Sequence, residues 1–209
     1  KMPQYFDNVE GMEHQNITIK FELLGESYSF FSDKGVFSKN KLDFGTELLL
    51  KTVLEMNIPL GKRVLDLGCG AGPIGLILAH LDPEKQVTLA DINDRALELA
   101  ERNAKHLGVS SQVEIVHSDV YLNIHSTYDS IISNPPIRAG KRVTYRIYDE
   151  ALSHLNENGS LIIVIRKEQG ALSTMEHLQT IFPSVNVLAR KKGYYIIQSS
   201  FKRSSINAK

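Results

Sequence analysis

Three aspartates, Asp66, Asp91 and Asp119, each stand in or directly after a predicted buried strand. Because the carboxyl ends of parallel strands meet at one edge of a sheet, their carboxylates are expected to line one crevice. Asp66 can hold the ammonium of an amino-acid ligand, Asp91 can accept two ribose hydroxyls, and Asp119 can accept an adenine amino group. This pattern predicts a site for a cationic adenosyl ligand without phosphate. The alternative, strongest for Asp119, is an ordinary turn or cap residue.

A glycine loop follows the first of these strands, in the segment VLDLGCGAGPIG (64–75). Gly68 and Gly70 allow the backbone to turn tightly and to approach a ligand closely, so both are candidate cofactor-binding residues. Residues 70–75 also match the GxGxxG pattern of dinucleotide-binding proteins. A nicotinamide-dependent oxidoreductase is therefore an alternative. It is disfavoured because the Asp66 carboxylate would repel a pyrophosphate and because no second mononucleotide-binding half follows.

The predicted strand YDSIIS (128–133) ends in the motif Asn134-Pro135-Pro136. Proline has no N–H, so the motif cannot continue a central strand and must leave the sheet. The side-chain carbonyl of Asn134 and the main-chain carbonyl of Pro135 can each accept one N–H of a planar amine, which orients its lone pair. The alternative is a plain strand-ending turn. Its position after the glycine loop favours Asn134, Pro135 and Pro136 as catalytic residues.

Basic residues cluster in two stretches, although 24 basic and 24 acidic residues leave the chain without net charge. The first stretch directly follows the Asn-Pro-Pro motif and comprises Arg138, Lys141, Arg142 and Arg146. The second comprises Arg190, Lys191, Lys192, Lys202 and Arg203. A protein with no overall positive charge would have to contact a nucleic acid through such local patches. The alternative is that these residues only solvate loop and strand ends.

Predicted strands and helices alternate through most of the chain. Residues 16–24 and 27–32 predict a β-hairpin, and residues 46–57 predict a helix with Thr46 as its N-cap. Further strands are predicted at 63–68, 86–91, 113–119, 128–133 and 160–166, with a closing hairpin at 185–190 and 194–201. Further helices are predicted at 73–81, 93–107, 143–156 and 171–182. The alternation predicts an α/β fold with a mostly parallel sheet covered by helices on both faces.

Composition limits the class of protein. The chain has 209 residues, of which 42% are hydrophobic and 23% charged, as in a globular domain. Its one cysteine, Cys69, favours a reducing compartment and predicts a cytoplasmic location. The longest apolar runs are too short to span a membrane, so no membrane partner is expected. The seven histidines show no metal-ligand spacing, and no metal site is predicted.

The segment DLGCGAG, together with Asp91 and Asp119, resembles the class I S-adenosylmethionine-dependent methyltransferases. That resemblance implies a Rossmann-like sheet of seven strands with an antiparallel last strand, and S-adenosylmethionine as cofactor. It also implies that Ile92 and Val120 pack against the adenine ring. The segment NPPI is similar to the motif by which members of this class bind planar amines, which ends in an aromatic residue.

Two longer segments narrow the resemblance. The stretches DKGVFSKNKLDFGTELLL (33–50) and NPPIRAGK (134–141) resemble the ribosomal small-subunit guanine-N2 methyltransferase C family, in particular its short members. The first segment lies beside the cofactor in that family, so the resemblance implies cofactor contacts from Phe37, Gly45, Thr46 and Asn134, with Ser38 a further candidate. The expected organisation is a β-hairpin extension at 1–40 followed by a methyltransferase domain at 41–209.

The family resemblance predicts methyl transfer to the exocyclic N2 amine of a guanine in small-subunit ribosomal RNA. Substrate contacts are expected from Ile137, Arg138, Lys141 and Arg142, with ribosomal RNA or the small subunit as partner and a monomer or homodimer as the active form. The alternative acceptors are adenine N6 and a protein glutamine amide, and another alternative is a silent S-adenosylmethionine-binding module.

Two departures from the family pattern bear on the substrate. Ile137 replaces the aromatic residue that could stack on the target base, so Phe37 or Tyr145 is expected to supply a ring. Longer members also carry an extra amino-terminal domain. Its RNA-binding role is expected to fall to the 1–40 hairpin, to the basic patches or to a second subunit.

Overall fold

A computed structural model describes residues 16–33 and 41–201 of the chain. Within these residues the strands are β1 (Asn16–Leu23), β2 (Glu26–Asp33), β3 (Arg63–Leu67), β4 (Gln86–Asp91), β5 (Val113–His117), β6 (Tyr128–Ser133), β7 (Leu155–Arg166), β8 (Ser184–Lys191) and β9 (Tyr194–Ser200). The α-helices are α1 (Phe44–Glu55), α2 (Pro73–Leu81), α3 (Asp94–Leu107), α4 (Lys141–Asp149) and α5 (Ala171–Gln179).

Seven strands form the central sheet in the order β5-β4-β3-β6-β7-β9-β8. The pairs from β5 through β7 are parallel, whereas β9 lies antiparallel between β7 and β8. This confirms the predicted Rossmann-like sheet with its antiparallel last strand. The parallel strands all end at the same edge, which is where an α/β sheet of this kind binds ligands. This edge is called the carboxyl edge below.

Helices cover both faces of the sheet because successive residues of the central strands are buried on opposite sides. Val64 belongs to the apolar core under α1, α2 and α3, and its neighbour Leu65 to the core under α4 and α5. Both side chains are fully buried. Near-continuous apolar strands of this kind are expected where a parallel sheet is covered on both faces.

The β1–β2 hairpin is a separate two-stranded sheet that is anchored to α3. The buried Asn103 side chain accepts a hydrogen bond from the Phe31 N–H at 2.7 Å and donates to the Phe31 carbonyl at 2.9 Å. It also donates to the carbonyl of Ala71, in the glycine loop, at 2.9 Å. The predicted hairpin is therefore present and connected to the glycine loop. Its division into a unit at 1–40 stays a prediction.

Some predicted boundaries were wrong. The helix predicted at 143–156 begins at Lys141 and ends at Asp149, and a short 3₁₀ turn (Ala151–His154) leads directly into β7. The segment that was assigned to the end of this helix instead lengthens β7, because Asn156 Nδ2 donates to Asp129 Oδ1 at 2.9 Å on the neighbouring strand. The helix predicted at 171–182 ends three residues early, at Gln179.

The start of α1 also differs from the prediction. The N-cap is Asp43 and not Thr46, because the Asp43 carboxylate accepts the Thr46 N–H at 3.1 Å. An aspartate is among the best N-cap residues, since its oxygen satisfies an N–H that the helix itself cannot pair. The correction matters because Asp43 lies beside the Asn-Pro-Pro motif.

Candidate active site

The glycine loop between β3 and α2 is tied to the end of β4. The N–H groups of Gly68 and Cys69 both donate to the Ala90 carbonyl, at 2.8 and 2.9 Å. The Gly70 N–H donates to Asp91 Oδ2 at 2.9 Å. Gly68 has φ +71°, a conformation that favours glycine, and a side chain placed there would meet nothing within 4 Å. The loop is therefore held firmly while its backbone at Gly68 stays open to a ligand.

Asp66 is buried, with 1% of its surface exposed, and caps α2 from the neighbouring strand. Its Oδ2 accepts the Gly75 N–H at 2.9 Å, which replaces the side-chain cap that Gly72 cannot provide. Its Oδ1 has no hydrogen-bond partner among the described residues. Burial raises the pKa of this carboxyl to about 7. A buried acceptor without a partner fits a ligand ammonium or a bridging water, as the predicted role requires.

Asp91, at the end of β4, is half-buried and organises the turn that follows it. Its two carboxylate oxygens accept the N–H groups of Gly70 and Asn93, each at 2.9 Å. Burial raises its pKa above the ordinary value. Each oxygen keeps a further lone pair, so both can still accept ribose hydroxyls. Ile92 is half-buried beside Asp91, in position to face an adjacent ring.

Asp119 and Val120 follow β5 in a constrained turn. Val120 has φ +52°, which is strained for a β-branched residue. The Ser118 hydroxyl fixes this turn by donating to the Val120 carbonyl at 2.7 Å and accepting the Asn123 N–H at 3.0 Å. Backbone strain of this kind clusters at functional sites. Asp119 and Val120 are thus held in one defined position at the carboxyl edge.

Asn134, Pro135 and Pro136 directly follow β6. The Ser133 hydroxyl donates to the Leu67 carbonyl at 2.7 Å, so Asn134 and Gly68 emerge side by side from neighbouring strands. Pro136 has φ −75° and ψ +78°, and the Ile137 N–H donates to the Pro135 carbonyl at 2.9 Å. This inverse γ-turn uses one lone pair of the Pro135 carbonyl and leaves the other available.

The Asn134 side chain is anchored to the start of α1. Its Nδ2 donates to Asp43 Oδ2 at 3.0 Å and to Thr46 Oγ1 at 3.2 Å. Gly45, between these anchors, leaves no room for a side chain, because a Cβ there would lie 3.0 Å from the Tyr194 ring. Gly45 and Thr46 were predicted from the resemblance as cofactor contacts. The structure brings both to Asn134, and their contact with a cofactor stays a prediction.

Arg138, Lys141 and Arg142 are exposed, and the described residues provide no acidic partner for any of them. Arg138 lies on the 3₁₀ turn at Ile137–Ala139, and the two others open α4. Arg146, expected beside them, instead pairs with Asp119. Its Nη1 donates to Asp119 Oδ1 at 3.2 Å, and its Nη2 donates to the Asp119 carbonyl at 3.3 Å. Arg146 therefore holds a predicted cofactor residue.

The second basic stretch lies at the same edge of the sheet. Lys191 ends β8, Lys192 lies in the turn to β9, and Lys192 Nζ is 4.8 Å from the centre of the Phe44 ring. Phe44 follows Asp43 and packs against Tyr194 with ring centres 5.2 Å apart. Lys202 and Arg203 fall outside the described residues. Exposed cations thus flank the Asn-Pro-Pro motif on two sides.

The ring expected to replace the missing aromatic is still unassigned. Tyr145 stacks on His177 with ring centres 4.1 Å apart, which occupies one face of its ring. Phe37 and Ser38 lie outside the described residues. Phe44 and Tyr194, which the sequence interpretation did not single out, lie beside the anchors of Asn134. No periodicity or motif marks them, because they reach the site only through the pairing of β9 with β7.

Two further observations concern metals and membranes. Among the described residues, no three His, Cys, Asp or Glu side chains form a group that could hold a metal ion. None of the described helices combines the length and the apolar character that crossing a membrane requires.

Comparison with known proteins agrees with this geometry. The methyltransferase small domain family matches residues 27–198. A Bacillus subtilis (strain 168) protein described as "Uncharacterized protein YbxB" is 42% identical over 197 residues, which cover 93% of this chain and 96% of that protein. The ribosomal RNA small subunit methyltransferase C of Haemophilus influenzae (strain PittGG) is 39% identical over 169 residues, which cover 79% of this chain and 49% of that protein. The chain thus spans about half the length of such methyltransferase C relatives.

Solved structures show the same fold. The "T. Thermophilus 16S rRNA N2 G1207 methyltransferase (RsmC) in complex with AdoMet and Guanosine" superimposes with a TM-score of 0.80 at 24% identity, over 91% of this chain and 52% of that one. A ribosomal protein L11 methylase from Lactobacillus delbrueckii subsp. bulgaricus gives a TM-score of 0.62 at 22% identity, over 78% and 84% of the two chains. The carboxyl-edge site, the family match and the identity to these relatives lead to one conclusion: the chain belongs to the methyltransferase small domain family.

Proposed function

We propose that this protein transfers a methyl group from S-adenosylmethionine to the exocyclic N2 amine of a guanine in small-subunit ribosomal RNA. One observation carries the proposal. The hydrogen bond from the Ser133 hydroxyl to the Leu67 carbonyl, at 2.7 Å, sets the Asn-Pro-Pro motif directly beside the glycine loop. A group that accepts amine hydrogens therefore adjoins a loop suited to an adenosyl cofactor.

The residues at the carboxyl edge fit S-adenosylmethionine. The unpartnered Asp66 Oδ1 matches its ammonium, Asp91 matches its ribose hydroxyls, and Asp119 matches its adenine amino group. The open backbone at Gly68 leaves space for the ligand. When bound, the cofactor supplies an electrophilic methyl group on a positively charged sulfur.

Asn134 and Pro135 orient the acceptor. An exocyclic amine is a weak nucleophile, because its lone pair is delocalised into the ring. The Asn134 and Pro135 carbonyls accept its two N–H groups and direct the lone pair at the methyl carbon. As the new nitrogen–carbon bond forms, positive charge develops on the nitrogen and both carbonyl dipoles stabilise it. The nitrogen becomes acidic only then, so a proton can leave to water without a strong general base.

The exposed cations support an RNA substrate. Arg138, Lys141 and Arg142 lie within eight residues of Asn134 and have no acidic partner among the described residues. They are suited to phosphates beside the target nucleotide. Because the amine of a paired guanine is hidden in the duplex, the target is proposed to be single-stranded or flipped out. On this proposal the enzyme meets its substrate in the cytoplasm.

Ribosomal RNA is favoured over other acceptors by the identity to methyltransferase C relatives. Membership of a methyltransferase family argues against a nicotinamide-dependent oxidoreductase. A silent cofactor-binding module is disfavoured by the intact Asn134-Pro135-Pro136 motif and by the anchoring of Asn134 on two side chains. Adenine N6 and a glutamine amide remain alternatives that the following experiment distinguishes.

The test uses radiolabelled S-adenosylmethionine and small ribosomal subunits from cells that lack this gene. The RNA is digested to nucleosides after incubation with the wild-type protein or with the Asn134→Ala variant. Label in N2-methylguanosine with the wild type alone supports the proposal. Label in N6-methyladenosine or in protein keeps a methyltransferase but contradicts the proposed acceptor. No label, with cofactor binding shown by calorimetry, contradicts catalysis on this substrate.

A further inference from the structure

Asp43 contacts Asn134 although 91 residues separate them in the chain. We infer that Asp43 is a positioning residue that fixes the amide of Asn134 with its carbonyl oxygen toward the acceptor amine. This inference rests on the proposed function. It assigns a role to a residue that was not among the predicted site residues.

The chemistry of the contact determines the orientation. An ionised carboxylate can only accept hydrogen bonds, so the group that faces Asp43 Oδ2 at 3.0 Å must be the NH₂ of Asn134. Since the amide is planar, its oxygen must then point the opposite way. In the flipped amide, two oxygens would face each other and the carbonyl would be unavailable to the substrate.

Thr46 reinforces the same orientation. Its hydroxyl accepts from Asn134 Nδ2 at 3.2 Å, and its main-chain N–H donates to Asp43 Oδ2 at 3.1 Å. Thr46 is buried, which limits competition from water. The N-cap of α1 is thereby part of the arrangement, because one carboxylate oxygen serves both the helix and the amide of Asn134.

The contact also affects charge. A carboxylate that accepts from Nδ2 polarises the amide and increases the negative charge on its oxygen. That oxygen is where the developing positive charge of the acceptor nitrogen is stabilised. Asp43 therefore acts through Asn134 and does not touch the reacting atoms.

Substitutions at Asp43 can separate this role from capping. Asp43→Ser keeps an oxygen that caps α1, because serine caps a helix as well as aspartate does. Its side chain is shorter and uncharged, so it loses the contact with Asn134. Asp43→Asn keeps an acceptor oxygen at the same reach. Asp43→Ala removes both the cap and the contact, and is expected to lower the melting temperature, as the loss of an N-cap does.

The experiment measures single-turnover methyl transfer, cofactor affinity and melting temperature for the wild type, the three Asp43 variants and Asn134→Ala. We expect Asp43→Ser to melt like the wild type and to bind S-adenosylmethionine equally well. Its rate is expected to fall about 10- to 100-fold, because a misplaced acceptor group slows transfer to this extent. Asp43→Asn should retain at least about a fifth of the wild-type rate.

A wild-type rate for Asp43→Ser, with Asn134→Ala inactive, would overturn the positioning role and leave the proposed function intact. A rate loss that simply followed melting temperature across the series would overturn it as well, since that pattern indicates capping alone. If the wild type itself methylated no guanine N2, the proposed function would fail first, and the two failures are thus distinguishable.

Discussion

The two halves of the candidate site are built differently. The cofactor half, formed by β3, β4 and β5, is held by contacts between residues that are near in sequence: Gly75 with Asp66, nine apart, and Gly70 with Asp91, twenty-one apart. The acceptor half depends on Asp43 and Asn134, ninety-one apart. Buried acids dominate the first half, and exposed cations surround the second.

This difference follows from what each half binds. A small cofactor of constant shape can be enclosed by a short loop and two adjacent turns. A large polyanionic substrate requires an open surface, with phosphate contacts around a single precisely oriented group. The halves should therefore fail separately when they are mutated, and the four predictions below test that separation.

The largest effect is expected from Asn134→Ala. Loss of the amide removes both the orientation of the amine and the dipole that stabilises its charge, so single-turnover methyl transfer should fall by about 10³-fold or more. The dissociation constant for S-adenosylmethionine should change less than about threefold. Calorimetry and single-turnover rates measure the two quantities. Equal losses of affinity and rate would show that the halves are not separable.

Asp66 should make stability depend on pH. Its pKa is raised from 3.8 to about 7 in the folded state, so between these values the folded protein keeps a proton that the unfolded chain has released. Stability contributed by the protonated form is therefore lost as pH rises toward 7 and above. At about 1.4 kcal/mol per pKa unit, the change is up to about 4 kcal/mol.

Urea unfolding from pH 4.5 to 8 measures this effect, with Asp66→Asn as the matched control that cannot titrate. The free energy of unfolding of the wild type should decline relative to that of the variant as pH increases. Parallel pH profiles would show that the folded-state pKa of Asp66 is not raised.

Asp91→Ala should mainly weaken cofactor binding. It removes the acceptors for two ribose hydroxyls and releases the Gly70 and Asn93 N–H groups, a loss of about 2–3 kcal/mol, or roughly 10²-fold in affinity. RNA affinity, measured by filter binding without cofactor, should be unchanged. A comparable loss of RNA affinity would contradict an independent cofactor half.

The smallest effects should come from the arginines around α4. Arg138→Ala is expected to weaken RNA binding about threefold at moderate salt and to reduce the salt slope by about 1, with cofactor affinity unchanged. Arg146→Ala is the matched comparison, because Arg146 pairs with Asp119. It should weaken cofactor binding about threefold and leave the salt slope unaltered. The reverse pattern would mean that the structure misassigns the two arginines.

How far the sequence alone predicted the molecule follows the same division. Strand alternation and the glycine loop were sufficient to predict the seven-stranded sheet and the places of Asp66, Asp91 and Asp119, because local patterns determine these features. The Asp43 cap and the pairing of Arg146 with Asp119 were not predicted, since both join segments that only the folded sheet brings together. The helix predicted at 143–156 failed for a related reason, as strand pairing extends β7 into it.

The position of β9 has a consequence for synthesis. It is the last of the described strands to be made, yet it lies inside the sheet, between β7 and β8. Until it inserts, a nascent chain would carry an unpaired edge along the apolar residues 161–165 of β7, the kind of edge that invites aggregation. Tyr194, which closes the space beside Gly45, arrives with the same strand. The acceptor side would therefore mature only near the end of translation.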